Sequence, residues 1–302
     1  MNASAILFNI RATHIDLPRK RFSNQLYVFF LDESPTDTYE HFTVNTRPVH
    51  GHDVTPDYFN ITMTYRADSD IYYPYDTFVP CNGKCHVDEF WSEKEVLDKV
   101  RSKTKLAMKA FSTCYTPSKR ENLVAKLASH MFYLAFENSV CKNYITEKFW
   151  YLKHLIVPIV LSRRVFKKTK IPDNVYIAVD DYNNVEELAE YLLYLQRNRT
   201  AYLKYFEWTK TYRKTTYRLN YYRYSPLARQ SYINVINGSN APEYNPICNL
   251  CELLHKQHRK HQKYIIRNIW NYWKSPDVCI DNWADMWLKG KHIKAYNKAN
   301  WK

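Results

Sequence analysis

Short apolar runs of strand length punctuate the chain, with polar and helical stretches between them. Residues 5–10 and 26–31 (LYVFFL) are β-branched or aromatic and predict strands. The stretch from Phe59 to Pro74 is polar and aromatic without a clear period, and Pro74, Pro80 and the Cys81–Cys85 loop interrupt it. A helical pattern begins at Ser92, an N-cap residue followed by Glu93 and Glu95 in the first turn, and runs to about Lys103. From Lys105 the texture alternates. A strand is predicted over 105–111, a helix over about 118–129 behind the cap Thr116-Pro117-Ser118, and a strand over 132–138. A helix from Tyr144 to His154, strands over 155–161 and 175–179, and an amphipathic helix from Val185 to Arg197 complete the series. Strand–helix alternation of this kind indicates a parallel, Rossmann-like sheet, in which ligands bind beyond the carboxyl ends of the strands. After residue 200 the pattern is helical and aromatic, the tail from about Lys260 is basic with scattered Trp, and no internal repeat is visible.

One junction is cramped. The helix ending near Ser129 meets the strand starting near Phe132 with only His130 and Met131 between them, and no Gly, Pro, Asn or Asp. A helix-to-strand connection usually takes about 2–6 residues and a C-cap.

Composition narrows the chemistry. The 302 residues include only 4 glycines, Gly51, Gly83, Gly238 and Gly290, so a GxGxxG turn or a P-loop is excluded. A nucleotide, if bound, is held by side chains and helix ends. The net charge of +14 is uneven: residues 1–200 balance at +2 and residues 201–302 at +12. A basic, Tyr- and Trp-rich segment suits nucleic acid, an acidic membrane or a phosphate-bearing ligand. No apolar run approaches the ~18 residues of a membrane span, and the first residues lack the basic-then-apolar order of a signal peptide. Taken literally, the chain stays in the cytosol. Four N-x-S/T sequons, at Asn2, Asn60, Asn198 and Asn237, and seven cysteines point instead to a secretory compartment.

The richest segment runs from Phe136 to Lys148, FENSVCKNYITEK, from a strand end through a polar loop into a helix. Tyr144, Glu147 and Lys148 stand at i, i+3 and i+4 and are expected to share one helix face near its N-terminus, where free N–H groups and the dipole favour an anion. Lys148 adds a point charge for phosphate, and Glu147 an acceptor for sugar hydroxyls. From spacing alone, the plainer reading is an ordinary surface helix with one ion pair.

This segment, followed by VPIVLS, resembles the signature of the alpha-1,3/4-fucosyltransferases (glycosyltransferase family 10). FNITMTYRADSDI (59–71), Glu33-Ser34-Pro35 after LYVFFLD, Phe111-Ser112-Thr113-Cys114 through Arg120, YLKYFEW (202–208) and Cys248-Asn249-Leu250-Cys251 are similar to further blocks of that family, in its order, over about residues 5–255. The resemblance implies an α/β fold of GT-B type, two Rossmann-like domains facing a cleft. It implies transfer of L-fucose from GDP-fucose to a GlcNAc or glucose hydroxyl of a glycan, in alpha-1,3 linkage and with inversion, and no required metal or other cofactor. Glu33 matches the general base. Arg120 and Lys148 match the cations on the diphosphate, which thus takes the place of a glycine-rich loop. Tyr144 and Glu147 match donor contacts, with Ser112, Asn138 and Ser139 shaping the same pocket. It further implies a Golgi membrane location with a lumenal catalytic domain, and disulfides for the C-terminal cysteines Cys248 and Cys251.

On this basis residues 1–103 are expected to form a partial acceptor-side domain, 104–255 the GDP-fucose-binding domain and 256–302 a basic aromatic tail of unknown role. Members of the family carry an anchor and a stem that this chain lacks, and they insert a strand where Ser129 nearly abuts Phe132. The chain therefore reads as N-terminally truncated and internally deleted near Ser129, with a C-terminal sheet short of a strand and apolar edges exposed. Asp68-Ser69-Asp70 has the form of a DxD metal motif, but the resemblance sets it in the acceptor-side domain with a structural role. Zinc on Cys248, Cys251, Cys81, Cys85 and His255 fits known spacings poorly. The alternatives to an active transferase are a catalytically inactive relative that binds GDP-sugar or glycan and, from the basic last third, a nucleic-acid-binding protein. The matched donor segment lies outside that third, so no nucleic-acid partner is expected.

Overall fold

A computed structural model describes residues 3–11, 18, 22, 24–38, 55, 57–83, 87–109, 126–214, 246–260, 266, 268–274 and 278–290. In chain order its elements are β1 (Ala5–Asn9), β2 (Leu26–Leu31), β3 (Ile61–Thr64), β4 (Ile71–Tyr72), α1 (Glu93–Arg101), β5 (Lys105–Lys109), β6 (His130–Leu134), β7 (Val140–Cys141), α2 (Glu147–Trp150), β8 (Val157–Val160), β9 (Ile177–Ala178), α3 (Val185–Arg197), α4 (Arg199–Leu203), α5 (Pro246–Lys260), α6 (Ile269–Lys274), β10 (Cys279–Ile280) and α7 (Trp283–Leu288).

The chain builds two α/β halves, each around a four-stranded parallel sheet, as the GT-B expectation required. The first sheet has the order β1-β2-β3-β4 and the second β5-β6-β8-β9, with every neighbouring pair parallel. The inner strands β2 and β8 are buried almost throughout and carry apolar residues on both faces, whereas buried β3 sets Ile61 and Met63 on one face and Thr62 and Thr64 on the other. β3 and β4 lie in the stretch where the sequence shows no period. Ile61-Thr62-Met63-Thr64 alternates apolar and polar residues, but over only four positions, too short a run to set a period. The Thr62 hydroxyl donates to Asp70 and that of Thr64 pairs with Ser69, so neither polar group is stranded.

Between the halves, α1 starts at Ser92 with a reciprocal capping box to Glu95, as the sequence predicts. The helix expected from Tyr144 to His154 is shorter. Thr146 is its N-cap, α2 is one turn long, and a 3-10 turn over 151–154 ends at Leu155 with φ 58°. Tyr144 therefore precedes the helix and does not share a face with Glu147 and Lys148. The strand expected over 132–138 lies at 130–134 instead.

The cramped junction is real and has its own cap. Residues 126–129 are helical and run directly into β6. Lys103, 1% exposed, donates through Nζ to the carbonyls of Leu127 (3.1 Å) and His130 (2.9 Å), with Ala128 at 3.4 Å. Thr104 N–H takes the Ser129 carbonyl at 3.0 Å. A lysine side chain thus does the work of the missing C-cap turn. Burial, with Lys99 and Arg199 nearby, pulls the Lys103 ammonium down to about 7. The expected exposure of apolar edges does not occur at β6, which is paired on both sides, with β5 and β8.

The last part of the chain makes contacts on both halves. Leu250 of α5 sits among Leu26, Val28, Ile61 and Met63, and so covers a face of the first sheet. The described residues of 268–290 pack on both halves. Trp273 of α6 is fully buried against Phe29 and Tyr65 on the first half. β10 then pairs antiparallel with β7 of the second half, and Trp287 of α7 donates to the Tyr182 carbonyl at 3.3 Å. The segment crosses from one half to the other and clamps them. A second tie is the buried ion pair Lys153–Asp76 at 3.0 Å.

Candidate active site

Glu33 lies two residues past the end of β2, at the carboxyl edge of the first sheet, where parallel sheets bind ligands. Its carboxylate is partly exposed and each oxygen has one donor. Arg11, from the loop after β1, donates NH1 to Oε1 at 2.8 Å, and Tyr144 donates its hydroxyl to Oε2 at 2.6 Å. Arg11 also pairs with Asp37 at 3.3 Å. The loop carrying Glu33 is buttressed from behind: Trp273 Nε1 donates to Thr38 Oγ1 (2.9 Å), which donates to the Ser34 carbonyl (2.7 Å).

The facing wall is the loop 139–146 of the second half. Ser34 Oγ donates to Ser139 Oγ at 3.0 Å. Cys141 is joined to Cys279 by a disulfide that fastens β7 to β10. Lys142 Nζ bonds Asp68 at 2.8 Å. Asn143 holds φ 60°, a left-handed conformation that Asn tolerates, and its side chain accepts from Ala67 N–H and donates to the Val165 and Lys167 carbonyls. Tyr144 is buried and reaches Glu33 across the cleft. Its phenol is raised far above the ordinary range by burial, then by Tyr75 and Glu33, so it acts as a hydrogen-bond donor and not as an acid. The Tyr65 ring lies 5.1 Å from that of Tyr144, and its buried hydroxyl finds no hydrogen-bond partner among the described residues.

Behind this loop sits Glu137, whose side chain is 11% exposed. Its Oε1 accepts from Thr146 N–H (2.7 Å) and Oγ1 (2.9 Å), and its Oε2 from Lys148 Nζ (3.1 Å). Burial raises the Glu137 carboxyl, opposed by Lys148 and Thr146. Burial alone would lower Lys148, yet Glu137 first, then Glu147 and Glu33, leave it raised. Helix α2 has four residues, and a protein carboxylate already occupies its Thr146 N–H.

The other expected residues are distributed as follows. Glu147 opens α2 and is partly buried, Asn138 is exposed, and Ser139 faces Ser34. Ser112 and Arg120 lie outside the described residues, as do Asn2 and Asn237. Asn60 is bound to the fold, its carboxamide accepting from Tyr27 N–H at 2.8 Å, and Asn198 caps α4 through Ala201 N–H. Cys248 and Cys251 are both exposed on α5 and are not joined to each other, whereas Cys141 and Cys279 are joined. Asp68 is gripped bidentately by Arg66 and by Lys142. These pairings overcome the effect of burial and hold its carboxyl at about 2. Asp70 accepts from Thr62 N–H and Oγ1 at 2.8 Å. Both carboxylates of the DxD stretch are thus committed to the fold. Among the described residues no group of three or more His, Cys, Asp and Glu converges as a metal site would require.

Arg11, Ser34, Glu137 and Thr146 are site residues that sequence reasoning passes over. Glu137 and Thr146 stood inside the FENS…YITEK segment, and only their mutual contact shows what they do.

Comparison with known proteins identifies the family. Residues 101–271, more than half of the chain, match the family described as glycosyltransferase family 10 (fucosyltransferase), C-terminal part, and residues 1–76 match the fucosyltransferase N-terminal family. The chain is 32% identical to the alpha-(1,3)-fucosyltransferase fut-1 of Caenorhabditis elegans over 246 residues, 70% of this chain and 52% of that protein. It is 35% identical to fut-5 of the same organism over 52% of this chain and 49% of that one. It is 31% identical to the 3-galactosyl-N-acetylglucosaminide 4-alpha-L-fucosyltransferase of Bos taurus over 66% and 57%. The chain thus spans about half the length of the curated relatives it matches.

Proposed function

The chain belongs to glycosyltransferase family 10, the fucosyltransferases, and on that footing we propose that it moves L-fucose from GDP-fucose to a GlcNAc or glucose hydroxyl of a glycan, with inversion and in alpha-1,3 linkage. The observation that carries the proposal is the pairing across the cleft. A partly exposed carboxylate at the end of one parallel sheet, Glu33, meets Tyr144 from the loop that leads to Lys148 at the end of the other.

Glu33 is the general base. It takes the proton of the acceptor hydroxyl as that oxygen attacks C1 of fucose on the face opposite the diphosphate. The C1–O bond to GDP breaks and its electrons leave on the nucleotide. Lys148, with Arg120, offsets the charge that develops there. Tyr144 fixes Glu33 Oε2, which orients the carboxylate so that Oε1, now held by the partly exposed Arg11, is the oxygen offered to the acceptor. Glu147, Asn138, Ser139 and Ser112 line the donor side. No metal step is required by this scheme.

The partners are GDP-fucose and the glycan of a glycoprotein or glycolipid, and the compartment is the Golgi lumen. The Cys141–Cys279 disulfide supports an oxidising compartment. Among the described residues no helix is long and apolar enough to cross a membrane.

The test is incubation of the purified chain with GDP-fucose and a GlcNAc-terminated acceptor, with the product linkage read by NMR. Fucose in alpha linkage from the beta-linked donor supports the proposal. GDP binding without any transfer would instead identify an inactive relative.

A further inference from the structure

The buried carboxylate of Glu137 has no place in the transfer scheme, yet it holds the residue on which donor binding depends. Its oxygens accept from Thr146 N–H, Thr146 Oγ1 and Lys148 Nζ, all within 3.1 Å. The side chain is 11% exposed, and that of Lys148 19%. A carboxylate is left this deep only if it is fully paired, and these three donors supply the pairing.

We propose that Glu137 is a positioning residue for donor binding. It anchors the Lys148 ammonium through one N–H so that the two others face the diphosphate, and it keeps Lys148 charged in a site that is otherwise desolvating. This rests on the fucosyltransferase reading for the identity of the anion, but the contact between the two side chains stands independently of it.

The electrostatics follow from what surrounds Lys148. Three carboxylates face it: Glu137 in direct contact, Glu147 on its own helix and Glu33 from the opposite half. Burial opposes its charge, and Glu137 is the largest influence restoring it. Glu137 also ties Lys148 to Thr146, the N-cap of α2, so one carboxylate sets both the charge of the lysine and the start of the turn that carries it.

The experiment is an NMR titration of Lys148 through its 13Cε signal in the wild type and in Glu137→Gln, assigned with Lys148→Met, together with GDP affinity measured across the same pH range. Gln is isosteric and still accepts from Thr146, so it removes the charge with little change of shape. Lys148 is expected to titrate at least about one pH unit lower in Glu137→Gln, a tenfold change in its proton affinity. The alkaline limb of GDP binding should move with it, and GDP affinity near pH 6 should fall by about threefold or more, because the ammonium is no longer anchored by a charged acceptor. A role confined to stability would leave that limb in place. If Glu137→Gln does not fold, Glu137→Asp retains the charge at shorter reach and is expected to keep a GDP limb within about half a unit of wild type. An unmoved Lys148 titration in Glu137→Gln, or a Glu137→Asp limb displaced by a full unit, overturns the proposal. A shifted Lys148 in a protein that binds no GDP supports the positioning and counts against the donor reading alone.

Discussion

Tyr144 donates its hydroxyl to Glu33 Oε2 at 2.6 Å across 111 residues of sequence. The bond joins the donor-side loop of one half to the carboxylate at the sheet end of the other. It offers Tyr144 a role beside the donor contact that the family signature implies. Tyr144→Phe is expected to lower kcat about tenfold, the loss of one hydrogen bond to a charged group, with GDP affinity unchanged within about twofold. Steady-state kinetics and calorimetric GDP titration check this. An equal loss in GDP binding would return Tyr144 to the donor pocket.

The disulfide Cys141–Cys279 closes a loop of 138 residues and fastens the returning C-terminal segment beside Ser139 and Tyr144. Replacing both cysteines with Ser is expected to cost about 2–5 kcal/mol, which thermal unfolding would read as a Tm lower by about 5–15 °C. A variant with an unchanged Tm would mean that the clamp is carried by Trp273 and the buried ion pair alone.

Lys103 caps the helix that runs into β6 without a turn. Lys103→Met keeps the apolar stem but leaves the Leu127 and His130 carbonyls without that donor. Denaturant unfolding should show a loss of about 2–4 kcal/mol, because buried acceptors are then unsatisfied. Lys103 is remote in role from donor binding, so GDP affinity of the folded fraction should not change.

Asp68 is held at about 2 by Arg66 and Lys142, against an ordinary value near 4 in the unfolded chain. A lowered folded value means that the contribution to stability is present above pH ~4 and is lost as pH falls toward ~2. Wild type should therefore be more stable than Asp68→Asn at pH 7, with the difference shrinking through this window in denaturant titrations. A gap that persisted at pH 2 would show that the Asn variant fails for packing reasons.

Much of this architecture is legible in sequence because it is local. LYVFFL is a strand by composition, and Val185–Arg197 shows its helical period and its Asn184 cap openly. β3 is hidden because its apolar–polar alternation, Ile61-Thr62-Met63-Thr64, spans only four residues. The spacing of Tyr144 to Glu147 and Lys148 is helical and predicts a shared helix, whereas Thr146 starts the turn two residues later. The proposed base, Glu33, is legible only by resemblance, since a single Glu after a strand carries no periodic signal. Long-range partners are the least visible. Trp273 finds its place against Phe29, and Cys279 against Cys141, only once the chain has folded back across both halves.

The central claim is that Glu33 removes the acceptor proton while the opposite half holds the donor. The most direct test is Glu33→Gln, assayed for fucosyl transfer and for GDP affinity in the same preparation. Transfer is expected to fall by about 10²–10⁴, the usual worth of a general base, with GDP affinity retained. Wild-type turnover in Glu33→Gln would contradict the account.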